Sequence, residues 1–388
     1  MKALAGAAGL LLIFGILWEA FETIVLPRRV ARRVRLTRLF YRSTWIPWSG
    51  VARRALRGQR RETFLGFYGP LSLLVLLTVW AFGLVLGFAL LLWASGSAIQ
   101  AAEGMSPFGA DLYLSGTTFF TLGLGDVTPR SAVARALTVI EAGTGFGFLA
   151  LVIGYLPVLY QSFSRREVNV SLLDARAGSP PSAVELLRRH AAPEGQDALR
   201  ELLREWERWS AELLETHLSY PVLAYFRSQH DNQSWLAALT TILDVSALVM
   251  AGIETGCQRE AQLTFAMARH AIGDLAQVFR TAPLRAMPDR LPPPKLAQLR
   301  ESLEAAGLKL RQGPTADQEF AELRGLYEPY VAALAGYLRL GIPDWLADAG
   351  RADNWQTTAW GQSSGPGFPA HLASDEHRKR AGESGRRA

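Results

Sequence analysis

The sequence predicts an all-α membrane protein with two parts of different character. Of the 388 residues, 49% are hydrophobic. They concentrate in residues 1–160, where three stretches are long enough to cross a bilayer as helices. Residues 183–346 instead show helical periodicity without strand alternation, which indicates an all-helical domain outside the membrane.

The first apolar stretch, residues 3–26, leads directly into a basic segment. Twelve arginines lie from Arg28 to Arg61, between two apolar stretches. That position favours contact with anionic lipid headgroups and argues against nucleic-acid binding, despite a net charge of +6. Glu19 and Glu22, one helical turn apart, are expected to pair with this cluster near the interface.

Residues 28–65 carry arginines at loose helical spacing with apolar residues between them, a pattern typical of a helix lying in the headgroup plane. We expect Trp45 and Trp48 to anchor this helix in the interface.

Charge asymmetry across the spans predicts the topology. The second stretch, 69–93, carries no charge, and residues 94–107 beyond it are nearly uncharged. The basic segment therefore belongs in the cytosol and the N-terminus outside. The third stretch, 132–160, ends near Arg165 and Arg166, which again indicates the cytosolic side. The intervening stretch 108–120 is too short to cross and has the length of a re-entrant half-helix.

These patterns divide the chain into six segments. They are a first transmembrane helix (1–26), a basic interfacial cytosolic segment (27–65), a segment with the second and third membrane helices and the re-entrant stretch between them (66–163), a linker (164–182), a helical cytosolic domain (183–346) and a disordered tail (347–388).

The sequence of the cytosolic domain predicts helices but contains no recognisable ligand site. Ser182 precedes Glu185 by three residues, as in a capping box, and helical periodicity follows at 183–190, 197–217, 235–255, 260–279, 295–308 and 317–340. No dinucleotide-binding glycine fingerprint and no cyclic-nucleotide jelly roll is recognisable. Five residues have spacings that could assemble a metal site, but such groupings arise by chance on helix surfaces, and we expect no metal and no cofactor: Glu254, Cys257, Glu260, His270 and Asp274.

The sequence Thr-Leu-Gly-Leu-Gly-Asp at residues 121–126 has the composition needed to coordinate a dehydrated ion. Removing water from a bare charge in a low-dielectric medium costs on the order of 20 kcal/mol, so substitute oxygens are required. Backbone carbonyls supply them if the chain runs extended, and Gly123 and Gly125 permit the unusual backbone angles involved. The Thr121 hydroxyl would add the innermost oxygens. One chain encloses no axis, so several copies are needed.

The same hexapeptide resembles the Thr-Val-Gly-Tyr-Gly-Asp filter of potassium channels. The resemblance covers residues 66–163 and extends to Pro129, Arg135 and Gly145, three, nine and nineteen residues after Asp126. It implies a homotetramer that conducts K⁺ passively, with K⁺ as the permeant ion and no enzymatic activity, in the bacterial inner membrane. The helical cytosolic domain would then receive an unknown regulatory ligand or protein.

The resemblance assigns roles to particular residues. The ion-binding filter comprises Thr121, Leu122, Gly123, Leu124, Gly125 and Asp126; the filter support comprises Tyr113, Thr117, Thr118 and Glu141; the candidate hinge glycines are Gly143, Gly145 and Gly147.

Two of these assignments leave alternatives open. Glu141 lies deep in the third stretch, and we expect it to bond a pore-helix hydroxyl such as Thr117 or Thr118. The three glycines after it permit either close packing or bending of the helix.

The sequence also departs from the potassium channel pattern. Leu124 replaces the filter aromatic, and the pore-helix aromatic pair is reduced to Tyr113 beside Leu114. A poorly selective cation channel is therefore one alternative. A membrane-anchored helical signalling or scaffold protein with a vestigial pore is another.

Overall fold

The computed structural model describes residues 1–26, 35–96, 99–100, 106–230 and 232–346. The chain divides into two units. The first comprises Met1–Phe163 with Ser219–Phe226, and the second comprises Ser164–Leu218 with Arg227–Ala388. The part of the predicted arginine cluster at 27–34 and the predicted disordered tail at 347–388 lie outside the described residues.

The first unit consists of helices and one small strand pair. Its elements are α1 (Lys2–Ala20), which continues as a π-helix (Phe21–Val25), α2 (Leu36–Ala55), α3 (Gly58–Ala94), β1 (Ile99–Gln100), α4 (Pro107–Phe119), β2 (Thr128–Pro129) and the start of α5 (Ala132–Ala177). Among the described residues, three helical segments are long and apolar enough to cross a membrane: Lys2–Val25, Gly58–Ala94 and Ala132–Ala177. The three predicted membrane helices are thereby confirmed.

Two of these helices extend further than their apolar stretches suggest. The second predicted span begins at residue 69, whereas α3 begins at Gly58 and contains Pro70. The third predicted span ends at residue 160, but α5 continues to Ala177, so most of the predicted linker is helical. Hydropathy detects only the apolar part of a helix, because a polar helical extension leaves no hydropathy signal.

Helix α1 packs closely on α3 through glycines. A side chain at Gly9 would place its Cβ 2.6 Å from the carbonyl oxygen of Gly87, and one at Gly87 would place it 2.6 Å from Cγ1 of Ile13. Small residues allow helix backbones to approach closely in a membrane, where packing contacts replace the hydrophobic driving force. The first span therefore covers the second within one chain.

The acidic residues at the end of the first span pair with the basic segment, as expected. Arg35 Nε lies 3.8 Å from a carboxylate oxygen of Glu19 and 3.8 Å from one of Glu22. The buried Glu19 carboxylate also accepts the Thr37 backbone N–H at 2.8 Å, and Trp18 Nε1 donates to Glu22 at 2.7 Å. One guanidinium thus lies beside both carboxylates, and each carboxylate also accepts one N–H.

Helix α2 presents two different faces. Leu36, Leu39 and Ile46 are exposed, as expected of an interfacial helix. Trp45 does not serve as the expected lipid anchor, because it is only 2% exposed and its ring centroid lies 4.7 Å from that of Tyr68 in α3. The helix uses this ring for protein packing because its buried face lies against α3.

Residues 219–226 pack in the first unit, although the residues before and after them belong to the second. The Tyr225 ring lies 5.7 Å from Tyr41, 5.1 Å from Trp45 and 5.2 Å from Tyr68, between centroids. Phe226 covers Gly69 of α3, where an added Cβ would lie 2.7 Å from the phenylalanine ring.

The same segment also contacts the later turns of the membrane part of α5. Tyr220 lies against Tyr155 at 5.6 Å, and Phe226 lies 6.1 Å from Tyr160 and 5.6 Å from Phe163, again between ring centroids. A short segment from the second half of the sequence thus holds α2, α3 and α5 together through aromatic contacts.

The second unit is helical throughout its described residues, apart from one isolated bridge between Ile253 and Leu310. After α5 it contains α6 (Ala183–Arg189), α7 (Pro193–Ser219), α8 (Trp235–Ala251), α9 (Gln258–Phe279), α10 (Pro293–Ala305), α11 (Pro314–Gly325) and α12 (Glu328–Leu338). Ser182 caps α6 by accepting the Glu185 N–H at 3.2 Å, as its spacing predicts. Helix α8 is buried along nearly its whole length.

The prediction of one helix over 317–340 is wrong. The segment forms α11 and α12, separated at Leu326 and Tyr327. Pro329 stands at the start of α12, where its missing N–H costs nothing, whereas in mid-helix it would remove a hydrogen bond.

The aromatic contacts of Tyr225 can be tested by truncation. Tyr225→Ala removes a ring that is 4% exposed and packed against three others, so we expect a loss of about 3–5 kcal/mol of stability. The measurement is the thermal unfolding midpoint of the purified protein in detergent. Tyr337→Ala, which removes a partly buried ring contact with Phe279, is the control with a smaller expected decrease. Equal decreases in both variants would contradict the packing role of Tyr225.

Candidate functional site

Residues 121–126 lie directly after the C-terminus of α4. Ser106 caps the start of α4 by accepting the Gly109 N–H at 3.1 Å, and Pro107 occupies the first turn. With 13 residues, α4 is about 20 Å long, shorter than the ~30 Å hydrocarbon core of a bilayer. The helix thus carries residues 121–126 at its C-terminal end, where its dipole is negative.

The backbone of this segment has an alternating conformation. Positive φ angles occur at every second residue: 58° at Thr121, 56° at Gly123 and 79° at Gly125. Glycine adopts this region without steric cost, whereas Thr121 must be held there by its surroundings. The glycine spacing in the sequence therefore corresponds to a real backbone requirement.

Hydrogen bonds from α4 hold the start of the segment. The Thr117 carbonyl accepts the N–H groups of Leu122 at 2.8 Å and Gly123 at 3.3 Å, and the Thr118 carbonyl accepts Thr121 N–H at 3.0 Å. These bonds give hydrogen-bond partners to the N–H groups of the segment and to the carbonyls at the helix end, which have no partner within the helix.

Tyr113 of α4 lies near the end of the segment. Its ring packs on a buried apolar cluster, and its hydroxyl interacts with the Asp126 carboxylate. That cluster contains Leu92 of α3, Leu114 of α4, Val127 and Ala134. The role of Tyr113 as a filter support remains a prediction.

The loop beyond the segment is pinned to α5 and to β1. Arg135 Nε donates to the Pro129 carbonyl at 3.3 Å, and Ser131 caps α5 by accepting the Ala134 N–H at 3.1 Å. Strand β2 pairs antiparallel with β1, with Ile99 opposite Pro129. These two-residue strands are not predicted from the sequence, because they are too short for alternation of apolar and polar residues to be seen.

Helix α4 is seated on α5 by two contacts one turn apart. Ser115 of α4 hydrogen-bonds the Glu141 carboxyl group of α5, and both residues are fully buried. One turn later on each helix, the Gly145 backbone lies against the Phe119 carbonyl, and an added Cβ would be only 2.1 Å from that oxygen. We call this pair of contacts the α4–α5 seam.

The expectation that a pore-helix hydroxyl bonds Glu141 is confirmed, but neither Thr117 nor Thr118 is that residue. Ser115 bonds it, whereas the Thr117 hydroxyl turns back to donate to the Leu114 carbonyl of its own helix at 3.1 Å. Successive residues point about 100° apart around a helix, so Ser115 and Thr117 cannot both face α5. The sequence contains one signal for this pairing. Ser115 and Phe119 are four residues apart in α4, and their partners Glu141 and Gly145 are also four residues apart in α5, so each pair lies on one face of its helix.

The three candidate hinge glycines have different environments. Gly145 is buried in the seam, which corresponds to the packing alternative. Gly143 and Gly147 have open space around them within one chain. Helix α5 runs through all three positions without a break.

Residues 74–161, from α3 through α4 to α5, match a family model described as "Ion channel". This segment is therefore similar to an ion channel domain, and it is given that name here. It contains the whole 121–126 segment, the seam and Tyr113, so the resemblance to a pore-loop channel is confirmed.

A curated relative extends the similarity beyond the ion channel domain. The uncharacterized membrane protein YdjJ of Bacillus subtilis (strain 168) is 24% identical over 265 residues, which covers 67% of this chain and 74% of the relative. No solved structure matches the chain significantly. The ion channel domain and three apolar helices make the chain a membrane protein.

The described residues contain no cluster of three or more His, Cys, Asp or Glu side chains that could hold a metal ion. Cys257, one of the residues considered for such a site, is buried, and its thiol lies 3.4 Å from the Gln196 carbonyl.

The α4–α5 seam predicts a position-specific effect of adding one methyl group. Gly145→Ala would force its Cβ against backbone atoms of Phe119, so we expect a loss of about 3 kcal/mol or more. Gly154→Ala lies in the same helix with no atom within 4 Å of its Cβ, and should be neutral or stabilising by up to ~1 kcal/mol. Thermal unfolding in detergent distinguishes the two, and similar midpoints would contradict the seam.

Proposed function

We propose that the protein is a homotetrameric, potassium-selective channel that conducts K⁺ passively and has no enzymatic activity. The observation that carries this proposal is the alternating backbone at 121–125, placed at the C-terminus of α4 inside an ion channel domain. No cofactor is required, because K⁺ is the permeant species.

Coordination by this segment has a simple physical basis. An ion that leaves water needs oxygens in place of its hydration shell, and backbone carbonyls aimed at one axis supply them. The carbonyls of residues 121–125 and the Thr121 hydroxyl are the proposed ligands. The negative C-terminal end of α4 adds a favourable potential for a cation.

Assembly of four copies is supported by the surface of α5. In the most apolar part of α5, 11% of the residues are buried within one chain, whereas in the most apolar part of α3 the share is 56%. Val139, Ile140 and Phe146 are each more than half exposed. A contiguous exposed apolar surface of this size indicates contact with lipid or with another subunit. Because one filter strand cannot surround an ion, we assign part of this surface to neighbouring copies.

The proposed location is the bacterial inner membrane, with the N-terminus outside and residues 183–346 in the cytosol. The arginines from Arg28 to Arg61 would then meet anionic headgroups, consistent with the exposed apolar face of α2. An unidentified regulatory ligand or protein would act on the helical domain.

A poorly selective cation channel is the second candidate, and Leu124 favours it. The Leu124 side chain is 63% exposed within one chain, and it replaces the aromatic that is expected at this position in a potassium filter. A filter with less support around it holds its carbonyls less firmly at one radius, which reduces discrimination by ion size.

The filter assignment predicts that Gly125→Ala abolishes K⁺ flux. A Cβ at φ 79° costs about 1–2 kcal/mol and displaces the neighbouring carbonyls. Gly58→Ala is the matched control, because Gly58 also has a positive φ, 55°, and open surroundings, but lies at the start of α3. Flux from proteoliposomes loaded with K⁺ should be lost only in Gly125→Ala. Selective flux that persists in Gly125→Ala would overturn the assignment.

A further inference from the structure

One hydroxyl group connects the three helices of the ion channel domain. Ser115 Oγ of α4 lies 2.7 Å from the Val85 carbonyl oxygen of α3, and it is also hydrogen-bonded to Glu141 of α5. Ser115 and Glu141 are both fully buried. The protonation state of this group of atoms therefore affects how α3, α4 and α5 are held together.

The number of protons in this chain of bonds determines which groups donate. A serine hydroxyl has one proton to donate and two lone pairs that accept. The Val85 carbonyl has no proton, so the 2.7 Å contact requires that Ser115 donates to it. Ser115 then has no second proton for Glu141, and the remaining hydrogen bond must be donated by the carboxyl group.

The opposite arrangement is unfavourable. If Ser115 donated to an ionised Glu141, its oxygen and the Val85 oxygen would face each other at 2.7 Å without a hydrogen between them. The second carboxyl oxygen, Oε2, is buried and has no hydrogen-bond partner among the described residues. A buried carboxylate in that environment would carry a large desolvation penalty.

No basic side chain of the packed helices is placed to compensate such a charge. Helix α3 has no charged residue after Glu62, and α5 has no basic residue between Arg135 and Arg165. The titratable groups of α4 are Asp111, one turn before Ser115, and Tyr113. Neither of them is a cation, so α4 and these parts of α3 and α5 supply no positive charge to a carboxylate at Glu141.

We propose that Glu141 is a protonated, uncharged acid that donates a hydrogen bond to Ser115 and thereby positions α4 and the filter at its end. Glu141 is a positioning residue, which contacts no ion and adds no fixed charge to the pore. Its effect on conduction rests on the proposed function, whereas its protonation does not.

Two substitutions distinguish the neutral donor from an ionised carboxylate. E141Q keeps an N–H donor of similar shape without charge, so it should retain at least roughly half of the wild-type K⁺ conductance. E141A removes the donor and should lower K⁺ flux about tenfold, as expected for a lost buried hydrogen bond. If E141Q loses as much conductance as E141A, the carboxylate charge matters and the proposal is overturned.

An infrared measurement tests the protonation without relying on conduction. In the full-length protein in lipid vesicles at neutral pH, wild type minus E141Q should show the carbonyl stretch of a protonated carboxylic acid. A carboxylate band in its place would overturn the proposal even if every variant conducts. Conversely, a protonated band from a wild-type protein that carries no current would refute the proposed function and leave the protonation established.

S115A supplies an independent variant if E141A does not assemble. It removes the hydroxyl that accepts a hydrogen bond from Glu141 and donates one to the Val85 carbonyl, but it leaves the carboxyl group in place. We expect the protonated-acid band to shift in frequency in S115A. An unchanged band would show that Glu141 does not donate to Ser115.

Discussion

The backbone between Phe119 and Asp126 leaves the helical conformation inside a domain of apolar helices, and the surrounding structure depends on that constraint. Non-helical backbone at membrane depth is tolerated where it is buried in protein or lines a cavity. Here the start of the segment is hydrogen-bonded to the Thr117 carbonyl, and Asp126 at its end interacts with Tyr113. The α4–α5 seam fixes the helix from which the segment emerges.

The rest of the first unit holds this arrangement in place. Helix α1 covers α3 through Gly9 and Gly87, and Arg35 lies beside the carboxylates at the end of the first span. The aromatic segment 219–226 connects α2 and α3 to the later turns of the membrane part of α5. Within one chain, much of the apolar surface of α5 and the filter segment are exposed, as are apolar residues of α1 and α3. In the proposed assembly, neighbouring copies would cover the filter segment and part of the α5 surface.

The sequence predicts much of this domain because its signals are local. Charge-free stretches mark the membrane helices, the glycine alternation marks the strained backbone, and the spacing of Ser182 and Glu185 marks a helix start. The resemblance of residues 121–126 to a potassium channel filter is specific because predicted membrane helices flank the six residues on both sides. Tyr113 was found because its place in the pore helix is tied to the motif.

Other features depend on rotation and on distant contacts, which a single sequence does not determine. Three hydroxyls of α4 were available to Glu141, and only the rotation of the helix about its axis selects Ser115. Tyr225 lies in a polar half of the chain and gives no local signal for contacts with Tyr41 and Trp45. The polar ends of α3 and α5 were missed for a similar reason, because hydropathy does not detect solvated helix.

The central claim is that residues 121–126 form a potassium-selective filter in a tetramer. The most direct measurement is the reversal potential of the purified full-length protein in a planar bilayer, with K⁺ on one side and Na⁺ on the other. We expect a current that reverses close to the K⁺ equilibrium potential and is absent in Gly125→Ala. A wild-type current that reverses near zero, or no current at all under these conditions, would contradict it.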